Sequence, residues 1–186
     1  MVVHDIASAR DDRRITRHLQ AFAAQADGDS LFASLAIVFP CSARLSEPAF
    51  EAVLWRRLRA IHAIDRASHG WDSSVSADPA SADFSMSVGG RAFYVVGLHA
   101  DASRPARRFR CPVLVFNLHH QFERLRADGR YEKLRQAIIQ RDIAFAGSPN
   151  PMLAVHGRSS EARQYSGRQV GADWVCPFHA NGSERR

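Results

Sequence analysis

Phe84-Ser-Met-Ser-Val-Gly-Gly-Arg-Ala-Phe-Tyr-Val-Val-Gly-Leu-His99 is the stretch on which the fold turns. Two β-prone runs flank Gly89-Gly90, and a glycine pair supplies the backbone freedom that a tight hairpin turn demands. Working outward, Asp101 to Arg110 reads as a basic loop and Pro112 to Asn117 as a third, buried strand. The apolar run Leu31 to Phe39, broken by Pro40-Cys41, is read as a further strand, although periodicity alone does not separate it from a buried half-helix.

Helical patterns surround these strands. One runs from about Asp11 to Ala26, with Ile15, Leu19, Phe22 and Ala26 on one face and Gly28 as its stop. A second begins after Ser46, a residue that caps helices, carries Pro48 in its first turn, aligns Phe50, Leu54, Leu58, Ile61 and Ile64, and ends near Ser68. His69 to Ala82 is rich in Ser, Asp, Gly and Pro, the composition of a surface loop. His119 to Ala127 opens a helix closed by Gly129, and Tyr131 to Asp142 forms another. Beyond Gly147 the chain is polar and irregular yet carries Tyr165, Trp174 and Phe178, which predicts an ordered wrap rather than a tail. The expected fold is α+β: a single domain over residues 1–186, with a small, mostly antiparallel sheet packed with helices and an ordered irregular C-terminal segment.

At 186 residues and 46% hydrophobic content the chain suits one domain with a substantial core. No apolar run approaches the roughly 18 residues of a membrane span. The first residues lack the apolar core and cleavage site of a signal peptide, so the expectation is a cytoplasmic protein with no membrane partner. Three cysteines, Cys41, Cys111 and Cys176, form neither a disulfide framework nor a C-x-x-C pair and are read as thiols. There are 25 basic against 19 acidic residues, a net charge of +6, and Lys133 is the sole lysine. Arginine grips carboxylates and phosphates through paired hydrogen bonds, which suits an anionic ligand. The arginines are not interleaved with aromatics in a nucleic-acid-binding pattern, so nucleic acid is not an expected partner.

Reactive side chains gather where the predicted elements end. His99 closes one strand, Asn117, His119 and His120 mark a strand-to-helix junction, and Cys176 lies in Trp-Val-Cys-Pro-Phe178. Strand ends that share one side of a sheet are where open sheets bind ligands, and these residues are expected to converge. Arg104, Arg107, Arg108 and Arg110 crowd one loop, while Glu161, Arg163, Gln164, Tyr165, Ser166 and Arg168 form a second polar group. There is no phosphate-binding G-x-x-x-x-G-K-[ST] loop and no G-x-S-x-G nucleophile elbow.

Several motifs occur in order across residues 84–178: Phe-Tyr-Val-Val-Gly-Leu-His99, Ser-Arg-Pro-Ala-Arg-Arg-Phe109, Val-Phe-Asn-Leu-His-His-Gln-Phe-Glu123 with Leu-Arg126, Arg-Asp142, Asn-Pro-Met-Leu153, Ser-Glu-Ala-Arg-Gln-Tyr-Ser-Gly-Arg168 and Trp-Val-Cys-Pro-Phe178. Together they resemble the YqcI/YcgG family, which includes haem-dependent N-hydroxylases of arginine and other guanidino compounds in natural-product pathways. The resemblance implies a b-type haem, dioxygen or peroxide as oxidant, an electron donor, and a small cationic nitrogen-containing substrate such as an arginine-like or amine compound. A homodimer is compatible with it. The second reading is a haem-binding sensor or carrier, because residues that hold haem do not by themselves specify turnover.

A haem needs an axial ligand, an apolar slot and cations for its propionates. The axial candidates are Cys176, then His119, then Cys41, with His99 also open; thiolate favours O–O cleavage and neutral histidine suits globin- or peroxidase-like chemistry. His99, Arg104, Arg107, Arg108 and Arg168 are the candidates for other contacts with the cofactor. Glu161 or Glu123 would pair with a substrate cation, and Asn117, Gln121 and Tyr165 would serve as distal donors or a proton path.

Overall fold

Gly89 and Gly90 take φ of +64° and +71°, and the turn they make joins strands β2 (Met86–Val88) and β3 (Arg91–Leu98) with Val88 opposite Arg91. In the computed structural model, which describes residues 1–25, 33–152 and 159–180, β4 (Val113–Leu118) pairs with the other edge of β3. The apolar run before Pro40 is a strand, β1 (Ser34–Val38), and it pairs with β4. The sheet order is β1-β4-β3-β2, every ladder antiparallel. Leu31 at the head of that run lies outside the described residues.

Alternation along the strands gives the sheet two unlike faces. Ile37, Phe93, Val95, Leu114 and Phe116 are buried on one side, against α1 (Asp12–Ala24) and α2 (Glu47–Asp65). Ile15, Leu19 and Ala23 of α1 and Phe50, Leu54, Leu58 and Ile61 of α2 fill that layer. Gly97 makes the fit: a Cβ there would lie 2.7 Å from the Phe50 ring and 2.8 Å from Leu54, so only a bare backbone lets α2 sit this close to β3. Ser46 caps α2 through Ala49 N–H, as its sequence signature predicts. Ala26 and Gly28, the expected end of the first helix, lie outside the described residues.

Helix α2 stops at Asp65, short of Ser68, because the Asp65 carboxylate clips the hairpin tip. It accepts Gly89 N–H at 3.0 and 3.1 Å and the Gln20 side-chain amide at 2.8 Å. A buried ion pair between Arg57 and Asp12 ties α2 to the start of α1, with Arg57 Nε also donating to Ile6 O at 3.1 Å.

The opposite face of the sheet presents Tyr94, Val96, Val115 and Asn117, all half-buried. It faces α3 (His119–Ala127) and α4 (Tyr131–Ala146). Gly129 closes α3 at φ +67°, as expected. Helix α4 continues past Asp142 because Ile-Ala-Phe-Ala sustains it until Gly147 turns left-handed at φ +76°. The segment after residue 158 contains one helical turn, α5 (Ala162–Tyr165), and then runs without regular structure while burying Ser166, Cys176 and Phe178. This ordered wrap and the antiparallel sheet give the α+β architecture expected. No helix among the described residues is long and apolar enough to cross a membrane.

Candidate functional site

Helix α4 buries none of its residues, because its inner stripe faces a cavity instead of the core. Tyr131, Leu134, Ile138, Asp142 and Phe145 recur at helical spacing on that stripe and line a cavity of about 590 Å³, within the roughly 300–1,000 Å³ usual for small-molecule and cofactor sites. Tyr94, Val96 and Asn117 of the sheet form its floor, Phe122 and Arg126 of α3 one side, and Arg104, Ala106 and Arg107 another. Asn150, Ser159, Glu161 and Gln164 close it from the C-terminal segment.

Two arginines hold α4 in place across this space. Arg104 donates to Asp142 Oδ2 at 2.6 Å and to Ser148 O at 2.9 Å, pinning the C-terminal half of α4. Arg126 pairs with Glu123 and lies 4.5 Å over the Tyr131 ring at the other end. In both guanidinium groups Nε is buried with no acceptor among the described residues, a costly state that an anionic ligand in the cavity would relieve. Arg107, half-buried, donates to Gly97 O (3.2 Å) and Gln164 O (3.1 Å), and desolvation holds its pKa below the ordinary value.

Glu161 is the acidic counterpart. Burial pushes its carboxyl up to about 7, opposed by a hydrogen bond from Ser85 and by the nearby charge of Arg126. The Ser85 hydroxyl is 3.0 Å from Glu161 Oε2 and 3.1 Å from His119 Nδ1, and His119 Nε2 meets Glu123 Oε1 at 3.0 Å. His119 does not itself line the cavity: it reaches the lining residue Glu161 through Ser85 and lies one turn before Phe122 on the stripe of α3 that borders the cavity. On the floor, Asn117 Oδ1 accepts from Ser34 at 2.6 Å and its Nδ2 donates to Tyr94 O at 3.3 Å, while the Tyr94 hydroxyl donates to Gln164 Oε1 at 2.8 Å.

The structure thus brings Asn117, Glu161, Arg104 and Arg107 to one cavity with His119 at its edge, and it separates the other expected site residues from them. His99 does not converge with His119, because β3 and β4 are antiparallel and their C-terminal ends lie at opposite ends of the sheet. The register, Phe93 opposite Leu118 but Leu98 opposite Val113, sets the last residues of the two strands five positions apart, about 17 Å along the strands, and His99 and His119 lie one residue beyond each. His99 instead stacks on Phe50 at 4.4 Å, and burial lowers its pKa. Cys176 packs into the core beside Trp55 and Phe178, with its thiol pushed up to about 12 by burial. Cys41 is exposed beyond β1.

Four further expectations give way to structural roles. The Tyr165 hydroxyl accepts from Met86 N–H and donates to Phe93 O, both at 3.1 Å, so it bridges the β2–β3 ladder in the core rather than serving as a donor in the cavity. Gln121 clamps Ala33 through both its amide atoms. Arg108 bonds the carbonyls of Ala102 and Ser103 in its own loop. Arg168 pairs with Glu51 of α2 at 2.6 Å. Sequence reasoning missed Ser85, Tyr94 and the inner stripe of α4, whose only signal was an apolar face too narrow for a core helix.

No curated protein and no solved structure matches the chain. The model of the YqcI/YcgG family matches residues 1–179 of the 186, which adds the N-terminal helices and β1 to the region carrying the motifs, and the chain belongs to that family.

Proposed function

We propose that the cavity under α4 is the active site of a haem-dependent monooxygenase that hydroxylates a nitrogen of a small guanidino or amine substrate. The observation that carries this reading is Glu161, a half-buried carboxylate in the wall of a cavity of ligand size. A buried carboxylate whose proton affinity is raised by desolvation gains most from a cation brought against it, and a planar guanidinium offers two parallel hydrogen bonds.

The residues present fit a haem in its main requirements. Val96, Phe122, Leu134, Ile138 and Phe145 supply an apolar slot, and Arg104, Arg107 and Arg126 supply cations for two propionates. His119 is the axial candidate bonded into this site. Its Nδ1 is fixed by Ser85 and thereby by Glu161, the kind of outer partner that orients a metal-bound histidine, and Nε2 would exchange its contact with Glu123 for the iron. When bound, the haem supplies the oxygen-transfer chemistry, with dioxygen and an electron donor or with peroxide. The chain's own residues do the rest: Glu161 orients the substrate nitrogen, Ser85 holds Oε2 in place, Asn117 and Gln164 offer polar atoms on the floor, and α4 excludes water.

Titration with haemin tests the cofactor, and a sharpened, shifted Soret band is expected. A product heavier by one oxygen across a panel of guanidines and amines tests turnover. Haem binding without any such product would favour a sensor or carrier, and free-haem absorbance throughout would reject the reading.

A further inference from the structure

We propose that Tyr94, Tyr165, Trp55 and Trp174 form a relay that carries a one-electron hole between the cavity wall and the molecular surface. Tyr94 lines the cavity. Its ring centroid lies 5.8 Å from that of Tyr165, Tyr165 stacks on Trp55 at 5.5 Å with 16° between planes, and Trp55 lies 6.3 Å from Trp174, which is only half-buried. The four rings cross the sheet from its cavity face, through the core beside α2, to the C-terminal segment. Each step is a ring-to-ring contact, and phenol and indole are the side chains whose oxidation by one electron is easiest after the thiols. Electron tunnelling across such contacts is fast compared with enzymatic turnover.

The indole of Trp55 supports this reading over plain core packing. Its Nε1–H is buried with no acceptor among the described residues, a state that a phenylalanine would avoid while filling similar space. An N–H with no acceptor also suits a relay, because oxidised Trp55 has nowhere to send its proton and is restored when an electron arrives from Trp174. Only at Trp174, where solvent reaches the ring, can the indole proton leave. In the net step the oxidant in the cavity gains one electron, Trp174 loses one electron and releases its N–H proton to water, and Tyr94, Tyr165 and Trp55 end unchanged. The oxidant is peroxide-treated haem, so the direction from cavity to surface rests on the proposed function of the cavity. The connection between the rings does not. The relay would drain oxidising equivalents when no substrate occupies the cavity.

Pulse radiolysis of the full chain without haem tests the connection. Azide radical oxidises indoles first, by taking one electron and leaving azide as the indole proton departs. A neutral phenoxyl radical is more stable than a neutral indolyl radical at neutral pH, so the hole should then pass to Tyr94, whose phenolic proton leaves to water in the cavity it lines while Trp174 takes up an electron and a proton from solvent, in a first-order step independent of protein concentration. Trp55→Phe and, at the half-buried end of the chain of rings, Trp174→Phe, each of which keeps an aromatic ring in place, should each slow or remove that phase at least tenfold, and Tyr131→Phe should leave it unchanged. Equal transfer in wild type, Trp55→Phe and Trp174→Phe would overturn the relay. The second measurement adds haemin and then peroxide without substrate and maps oxygen addition by peptide mass spectrometry. Trp174 should be modified in wild type and at least tenfold less in Tyr94→Phe. Undiminished modification of Trp174 in Tyr94→Phe overturns the direction proposed, whereas failure of haemin to bind overturns the cofactor reading and leaves the radiolysis result to decide the relay.

Discussion

The Ser85 hydroxyl donates its single proton to Glu161 Oε2 across 3.0 Å, so the second contact of Ser85, with His119 Nδ1 at 3.1 Å, must be one in which the hydroxyl oxygen accepts. With Glu161 ionised, Nδ1 of His119 therefore carries a proton, and the contact of Nε2 with the Glu123 carboxylate at 3.0 Å is one in which Nε2 donates as well. Protonation of Glu161 permits the opposite polarity. One serine thus couples the half-buried carboxylate of the cavity to the histidine at its edge.

The same burial predicts a pH-dependent stability. Burial raises the folded Glu161 carboxyl to about 7 from its ordinary 4.5. Below about pH 4.5 the group is protonated folded and unfolded and contributes nothing. As pH rises from there to about 7, the unfolded chain ionises first, the folded state binds more protons, and stability falls, by about 3 kcal/mol once both states are ionised. Glu161→Gln should remove this loss, so urea unfolding at pH 5 and pH 8 should show a smaller drop for the variant. Parallel profiles would mean that the carboxylate is compensated in the folded state. The variant should also lower kcat/KM for a cationic substrate by roughly ten- to a hundredfold, the weight of an ion-type hydrogen bond, with haem content unchanged.

Axial ligation separates two residues that the sequence ranks first and second, Cys176 and His119. The Cys176 thiol, held near 12 by burial, stays protonated at neutral pH, and it packs with Trp55 and Phe178 away from the cavity lining. Cys176→Ala should leave the haemin spectrum as in wild type, and His119→Ala should change the spin state. A spectrum altered only by Cys176→Ala would exclude the assignment of His119.

The arginines divide in the same way. Arg104 and Arg107 line the cavity, while Arg108 satisfies carbonyls of its own loop. Replacing Arg104 or Arg107 by Met should weaken haem retention by about tenfold or more, the cost of about one charge-assisted hydrogen bond, and Arg108→Met should have no such effect. Haem transfer to apomyoglobin gives the rates, and equal loss from all three variants would return Arg108 to the site.

The difference among these arginines was not legible in the sequence, for a physical reason. Composition and spacing gave the hairpin at Gly89-Gly90, the Ser46 cap and the Gly129 stop, because each is decided by a few neighbouring residues. Which arginine of Arg104 to Arg110 faces a cavity depends on a single turn at Pro105–Arg107 and on its docking to α4. Strand direction was the larger obstacle: His99 and His119 both end strands, but only the antiparallel pairing of β3 with β4 shows that they end at opposite edges. Tyr165 illustrates the converse, since its motif neighbours reach the cavity while its own side chain enters the β2–β3 ladder.

Gly97 gives the sharpest test of the packing that positions all of this. A Cβ there would lie 2.7 Å from Phe50, 2.8 Å from Leu54 and 2.9 Å from the backbone oxygen of Tyr165. The first two are side chains fully buried in the core and the third is main chain, so none can retreat freely. Gly97→Ala should therefore destabilise the fold by roughly 1–3 kcal/mol, the usual scale of overpacking, despite the better strand propensity of alanine. Gly90 is the control, because a Cβ there meets nothing within 4 Å and only its φ of +71° opposes substitution. Gly90→Ala should cost about 1–2 kcal/mol through backbone strain alone. The two costs differ in what else they move. Overpacking at Gly97 pushes β3 away from α2 and shifts Tyr94 and Val96 at the cavity floor, so haemin affinity should fall in the folded Gly97→Ala protein, and strain in the half-buried turn, which lies outside the cavity lining, should leave it intact. Unfolding in urea followed by haemin titration under native conditions separates the two, and unchanged affinity in Gly97→Ala would show that the floor of the cavity does not depend on how α2 packs.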